Sequence, residues 1–359
     1  MQASPPEHLR NAIRQFAIDG ELQIIEPFQR GHIHDTYVST WATGNARQRF
    51  LHQRINDHVF TDVAGLMHNI ETVTRHLDSK NGPATGMRTL TLVPTRSGES
   101  HLLENNGAWR TYLFLENTES FDLCASEKHA FEAAQAFGQF QAQLFDLDVD
   151  LLRETIPNFF SSPYRLQQFD QALSRDPAAR AQHAAKEIDF IQSRRDFVPI
   201  MENAIQNGRF PRRIVHGDTK LNNVLFDKSS GKAVCVVDLD TCMPSYSLYD
   251  FGDLVRFTAA TSAEDEQDLT KAGTNLDLYR ALVNGYLDSA GSFLTPYERE
   301  LMPMAARLVT LTIGMRFLTD YLAGDVYFKV EHEQHNLDRA RVQLCMVDFM
   351  EHHADAMKL

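Results

Sequence analysis

The residues that could do chemistry cluster in one short stretch. His216-Gly217-Asp218-Thr219-Lys220-Leu221-Asn222-Asn223 is followed closely by Val236-Val237-Asp238-Leu239-Asp240. An aspartate with an asparagine five residues on and a second aspartate twenty residues on is what phosphoryl transfer asks of a protein. The reaction needs little covalent help. It needs one carboxylate to orient the attacking hydroxyl, and oxygen ligands to hold a divalent cation on the phosphates. Asp218 suits the first role, and Asn223 and Asp238 suit the second, because hard Mg²⁺ takes oxygen ligands and few of them from protein. An Asp with Asn at +5 is weak by itself; the full string, with its flanking apolar runs, is far more specific. The plainer alternative is that Asp218 caps a turn and Asp238 ends a strand, with no metal.

Those residues must be positioned by the elements around them. RRIVHGD and AVCVVDLD read as two short apolar strands separated by a loop that turns at Lys228 to Lys232. Upstream, residues 21 to about 56 read as strands, with turns at RGH and TGN. A first helix carries Leu9, Ile13, Phe16 and Ala17 on one face, and Gly20 can end it. A second is predicted from Phe60 to Leu77, with Val63, Leu66, Met67, Ile70 and Val73 at helical spacing. Arg88 to Pro94 and Trp109 to Leu115 read as further strands. From Glu127 to Phe145 the helical period returns (Phe131, Ala134, Phe137, Phe140, Leu144), and most of the remaining chain follows it. A small strand-rich lobe over residues 1–116, an extended connector near Leu115 to Thr118, and a larger, mainly helical lobe over 117–359 make an α+β, protein-kinase-like two-lobed fold the expectation.

The 359 residues carry a formal charge of −13. That balance argues against a nucleic-acid partner, which needs a basic stripe to displace counterions. Four cysteines without a C-x-x-C pair make a disulfide framework or structural zinc unlikely choices. No secretion signal or long apolar run stands out, so a cytoplasmic monomer without a membrane partner is expected. There is no G-x-G, and Gly231-Lys232 lacks the rest of a P-loop. Cys242-Met243-Pro244-Ser245-Tyr246 has Tyr where a sulfatase modification signature needs Arg.

H-G-D-x-x-x-x-N with V-D-L-D resembles the aminoglycoside phosphotransferase and choline kinase superfamily. GHIHDTY (31 to 37), GAWR (107 to 110), DTKLNNVL (218 to 225), VDLDT (237 to 241), YDFGDLVRF (249 to 257) and GMRFLTDYLAGDVYF (314 to 328) are similar to its N-acetylhexosamine 1-kinase branch, across nearly the whole chain. The resemblance implies Asp218 as the base, Asn223 and Asp238 as magnesium ligands, and ATP and Mg²⁺ as cofactors, with a small sugar as acceptor. Asp250-Phe251-Gly252 spells the protein-kinase magnesium motif, but Asp238 already fills that role. Asp250 and Asp253 therefore read as helix-start and buried ion-pair residues, with Arg256 as a partner; a direct substrate role for Asp253 is the alternative.

For the nucleotide, Gly31, His32 and Thr36 lie in the position of a phosphate-covering loop, with His34 where related kinases usually have Asn. The strand lysine of protein kinases is missing. By resemblance Gln53 stands at its position and Arg54 retains the charge, with Glu71 as a partner for either; a solvated Arg and a helix-surface Glu is the alternative. Phe114 and Leu115 would meet adenine through the connector backbone, or be core. On the acceptor side, Arg316 and Tyr327 are sugar contacts by resemblance, although Arg316 could pair with Asp320 four residues on. Asp240 is open to three roles: a water-mediated metal contact, a sugar contact or an internal salt bridge. Phe159-Phe160-Ser161-Ser162-Pro163-Tyr164-Arg165 departs from F-H-D-T-P-x-R at Phe160 and Ser161. The expected activity is an ATP-dependent anomeric sugar kinase. Kinases for an aminoglycoside, choline or homoserine, and a non-catalytic nucleotide-binding module, are the competing readings.

Overall fold

The computed structural model describes residues 7–28, 33–82, 85–104 and 107–359. In chain order, helix α1 (Glu7–Arg14) precedes strands β1 (Glu21–Pro27), β2 (Asp35–Thr43) and β3 (Ala46–Arg54). Helix α2 (Val63–Asp78) and strands β4 (Leu102–Glu104), β5 (Gly107–Leu113) and β6 (Thr118–Glu119) follow. Helices α3 (Glu127–Gln143), α4 (Ser162–Arg175), α5 (Ala185–Gln192) and α6 (Ile200–Gln206) lead to strands β7 (Arg213–Val215), β8 (Val224–Asp227), β9 (Ala233–Val236) and β10 (Met243–Ser245). Helices α7 (Ser247–Thr258), α8 (Leu276–Ala290), α9 (Pro296–Glu300), α10 (Met302–Ala323) and α11 (His335–His352) complete the chain. The chain divides into two compact units. One takes the chain up to Glu119 with Asp150–Ile156 and Leu225–Met243; the other takes Ser120–Val149, Pro157–Val224 and Pro244–Leu359.

The first unit is built on a five-stranded sheet in the order β1-β2-β3-β5-β4, antiparallel throughout. The two-residue Gly44-Asn45 turn pairs Thr43 with Ala46 and thereby sets the β2–β3 register, which places Thr36 opposite Gln53. Leu9, Ile13 and Phe16 pack with Trp41, Phe50 and Trp109. Inside the sheet, buried His52 bridges Ser39 Oγ (2.6 Å) and Thr111 Oγ1 (2.8 Å), and Trp41 Nε1 donates to the same serine at 2.8 Å. A three-stranded sheet, β6-β8-β9, belongs to the same unit.

Several sequence expectations shift here. Helix α1 ends at Arg14, well short of Gly20, because the chain turns at Gln15 and Phe16 and then bonds outward, Ala17 N to Pro94 O at 2.8 Å. Ala17 is exposed and Ile18 takes the buried position. Arg88 to Pro94 forms no strand: one bridge joins Leu92 to Tyr112, and its other bonds scatter, Arg88 N reaching Val234 O. The connector near Leu115 to Thr118 turns at Glu116-Asn117, where Asn117 has φ 59°, instead of running extended. Strand β8 was not foreseen.

The second unit is helical. Helix α10 is buried around most of its surface and packs on α4, α7 and α11, while α3 packs on α8. The α3–α8 approach needs Gly285, since a Cβ there would stand 2.2 Å from Phe131 O. No helix among the described residues is long and apolar enough to cross a membrane.

His52 gives the first unit an acid-sensitive element. Burial holds its pKa down to about 3, against an ordinary value of 6.5. The unfolded chain thus takes up a proton near pH 6.5 that the folded sheet refuses. This contribution is fully present above 6.5 and declines as pH falls, by up to about 1.4 kcal/mol per pH unit. The stability advantage of the wild type over His52→Gln should therefore shrink between pH 7.5 and 5.5 in thermal melts. An advantage independent of pH would refute the assignment.

Candidate active site

The catalytic-loop segment leaves β7 and has no ladder partners for its backbone. Asp250, in the first turn of α7 and 1% exposed, supplies them. Its carboxylate accepts from His216 N at 2.7 Å and Gly217 N at 2.8 Å, and from Gln141 Nε2 at 2.6 Å. Gln141 in turn accepts from Tyr286 Oη at 2.6 Å. Thr219 donates its hydroxyl to Asp250 O (2.6 Å) and its N–H to Asp253 Oδ2 (3.0 Å). Gly217 has φ 84°, a conformation that favours glycine between two such fixed donors. The His216 ring is fully buried edge-on to Phe137 and Phe140, and its Nδ1 accepts from Asp218 N at 3.2 Å. Asp250 and Asp253 are thus fixtures of the loop. Asp253 forms the expected ion pair with Arg256 at 2.9 Å, whereas Asp250 binds backbone instead of a cation.

Asp218 stands at the end of this framework. Lys220 Nζ lies 2.9 Å from its Oδ1, and Asn223 Nδ2 donates to its backbone oxygen (2.9 Å) and to Oδ2 (3.1 Å). Burial alone would raise the Asp218 pKa. The charge and hydrogen bond of Lys220 outweigh it, so the carboxyl lies below its usual range and is ionised at neutral pH.

Asp238 follows β9 in a left-handed conformation (φ 62°, ψ 61°), and a single helical turn over Leu239–Thr241 comes next. Asp240 takes the internal salt bridge of its three open roles. It is 3% exposed, and Arg110 grips both of its oxygens, at 2.5 and 2.9 Å. His34 bonds the same carboxylate. Because His34 Nδ1 accepts from Asn56 N at 3.0 Å, its Nε2 carries the proton toward Asp240. The Asp240 carboxylate is thus committed to Arg110 and His34, which is the internal salt-bridge role among the three.

Of the nucleotide candidates, Gly31 and His32 lie outside the described residues. Thr36 is buried, and its Oγ1 is 3.5 Å from Gln53 Nε2. Gln53 Oε1 accepts from Arg110 Nε at 2.9 Å. Arg54 is half-exposed and reaches Asp35 at 3.6 Å. No ion pair joins Glu71 to Gln53 or Arg54 among the described residues, so the expected pairing across to α2 is not formed. Phe114 sits against Phe28 and under the Arg49 guanidinium (4.0 Å), and its N–H is committed to Arg49 O at 3.0 Å. Half-buried Leu115 accepts from Thr118 Oγ1 at 2.8 Å, with one carbonyl lone pair to spare.

In the second unit, Arg316 does not pair with Asp320. Asp320 accepts from the N–H groups of Val326, Tyr327 and Phe328 (2.8 to 2.9 Å) and from Asn336, closing the turn after α10. The Arg316 guanidinium lies 5.5 to 5.8 Å from the ring centres of Phe159, Tyr327 and Phe328. Burial lowers its pKa, opposed by Tyr327 and by the charge of Asp253, and it forms no ion pair among the described residues. Arg165 is nearby: burial and then Arg316 bring it down to about 10. Tyr327 is 65% exposed. Ser161 caps α4 by accepting from Tyr164 N, and Phe160 stacks on Tyr249 at 5.2 Å. Arg110 has no role in the sequence reading, and the backbone-holding role of Asp250 is not the ion pair expected of it. Arg110 sits in the GAWR stretch, but nothing in that spacing reveals its partner 130 residues away.

Whether these residues fit magnesium turns on their donor chemistry. The Asn223 amide nitrogen is spent on Asp218, which leaves its carbonyl oxygen as the ligand atom. The Asp238 carboxylate, in the first unit, is likewise an oxygen donor of the kind Mg²⁺ takes. Among the described residues no three His, Cys, Asp or Glu side chains converge to hold a metal unaided.

Comparison with known proteins bears on the fold and the family. Solved structures similar over nearly the whole chain include an aminoglycoside phosphotransferase from Alicyclobacillus acidocaldarius (12% identity, TM-score 0.59, 99% of this chain and 96% of that one). A spectinomycin phosphotransferase in complex with ADP and spectinomycin gives 12% and 0.59 over 99% and 100%. A choline kinase from Cryptosporidium parvum gives 12% and 0.55 over 92% and 90%. At these identities the likeness establishes the fold: the protein-kinase-like α+β fold, with a strand-rich N-terminal sheet and a helical C-terminal part. The phosphotransferase enzyme family itself matches residues 24–282, which hold both the catalytic loop and the strand-end aspartate, and the chain belongs to that family of small-molecule kinases.

Proposed function

We propose that this phosphotransferase uses ATP to phosphorylate an N-acetylhexosamine at its anomeric hydroxyl. The observation that carries the reading is Asp218: an ionised carboxylate, held on a loop whose backbone Asp250 and Asp253 fix, with a cation and an amide on its two oxygens. Such a group orients a hydroxyl and accepts its proton late in the transfer. An anomeric hydroxyl is more acidic than an ordinary alcohol, so one carboxylate suffices. Lys220 keeps Asp218 deprotonated and offers positive charge beside the reacting oxygen. Magnesium, held by Asn223 and Asp238 with the phosphates, would neutralise charge on the transferred group. Arg316, without an ion pair among the described residues and set among Phe159, Tyr327 and Phe328, has N–H groups for ring hydroxyls or an acetyl carbonyl, with aromatic faces beside them. The sugar specificity also rests on the stretches resembling N-acetylhexosamine 1-kinases, most of all residues 314 to 328.

Two outcomes test this. Asp218→Asn should lower kcat by about 10³-fold, within the range for a lost general base, and leave nucleotide affinity within about twofold by calorimetry. Equal loss of ATP binding would remove Asp218 from the acceptor side. With N-acetylglucosamine or N-acetylgalactosamine and ATP, phosphorus NMR should show a phosphate coupled to the anomeric proton. Phosphate on C6, or phosphorylation of the 1-O-methyl glycoside, would refute the anomeric assignment. Turnover of choline or kanamycin with none of the sugars would move the acceptor to another class.

A further inference from the structure

Protein kinases place a lysine on β3 and pair it with a glutamate on the following helix. Here β3 has Gln53, and among the described residues Arg54 is ion-paired to Asp35 and not to Glu71. Positive charge is nevertheless present one strand over. Gln53 and Arg110 are cross-strand neighbours on β3 and β5, and the Arg110 Nε donates to Gln53 Oε1 at 2.9 Å. The two remaining nitrogens of Arg110 do not point to solvent; the residue is 1% exposed. They form a two-bond fork with Asp240, at 2.5 and 2.9 Å, a geometry that fixes direction as well as distance.

Asp240 is two residues beyond Asp238, on the single turn Leu239–Thr241. That turn is anchored at further points in the same unit. Cys242 N bonds Leu239 O at 3.1 Å, and fully buried Asn69 of α2 donates to Cys242 O at 3.1 Å and to Arg153 O at 2.8 Å. Helix α2 therefore reaches the turn through an amide, not through Glu71. Asp238 itself holds a left-handed backbone (φ 62°), which is uncommon for a residue with a Cβ and depends on the conformation of the turn that follows. The Arg110 fork is the charged member of that turn's anchors.

We propose that Arg110 is a positioning residue for the metal-ligand turn: the cation absent from position 53 of β3 stands on β5 directly opposite it, and its ion pair with Asp240 aims Asp238. This rests on Asp238 being a magnesium ligand. The expected signature is a weakened metal site in a folded protein.

Removing Arg110 alone would leave the Asp240 carboxylate buried without its cation, and the chain could fail to fold. Replacing both members of a buried pair with apolar groups is far better tolerated. The test therefore compares wild type, Arg110→Met/Asp240→Leu and Asp238→Ala, using the full chain, Mn²⁺ and ADP. Mn²⁺ affinity is read by electron paramagnetic resonance in the presence of ADP, folding by thermal melts, and KM by steady-state assay. The double variant should melt cooperatively, bind Mn²⁺ at least tenfold more weakly, and need correspondingly more Mg²⁺ for half-maximal rate. The acceptor KM should move less than threefold. Wild-type Mn²⁺ affinity in the folded double variant, with Asp238→Ala impaired, overturns the role of Arg110 alone. Undiminished affinity in Asp238→Ala overturns the metal-ligand reading beneath it. If the double variant does not fold, Arg110→Lys replaces it: a lysine keeps the charge but not the fork, so unchanged Mn²⁺ affinity there also overturns the proposal.

Discussion

Everything proposed for the second unit depends on how a stretch of backbone is held after it leaves a strand. His216, Gly217 and Thr219 carry N–H groups that no ladder serves, in surroundings where an unmet donor costs about 1 to 3 kcal/mol. The Asp250 carboxylate meets two of them and Asp253 the third. The constraint spreads outward through side chains. Gln141 of α3 braces Asp250, and Tyr286 of α8 braces Gln141. Burial raises the pKa of Asp250, and the neighbouring His216 and these donors oppose that rise. A three-helix hydrogen-bond chain thus fixes the placement of Asp218, whose own charge is set separately by Lys220.

The first unit solves a similar problem with an ion pair. Its buried Arg110–Asp240 fork is locally complete, since His34 and Gln53 occupy the flanking donors and acceptors. A buried pair of this kind stabilises little compared with apolar packing, because desolvation offsets the attraction. Its value lies in direction.

How much of this could be read in the sequence follows from the range of each interaction. Helices α2 and α3 and the β2–β3 hairpin are legible because their periods and turn residues agree with their environment, and the Asp218, Asn223 and Asp238 spacing stands out in the sequence because it is local. Arg88 to Pro94 reads as a strand because its side chains suit one, yet a strand also needs a partner edge, and this stretch meets β5 only at the bridge centred on Leu92. Pairing across distance was the hidden part. Glu71 looked like a partner for Arg54, but Asp35 is nearer along the hairpin. Arg316 and Asp320 are four apart on a helix, yet the three N–H groups after the helix end offered Asp320 more. The Phe114 donor was lost to the sheet for the same reason.

The left-handed backbone at Asp238 has an evolutionary reading. A glycine there would relieve about 1 kcal/mol of conformational strain, and it would delete the carboxylate. Selection for stability alone thus pulls this position away from aspartate, against the pull of the metal-ligand role proposed for it. In a lineage released from the need for catalysis, Asp238 is where decay should start, with glycine or asparagine appearing before the Asp250 brace erodes, because losing the brace damages the fold and losing the strained aspartate improves it.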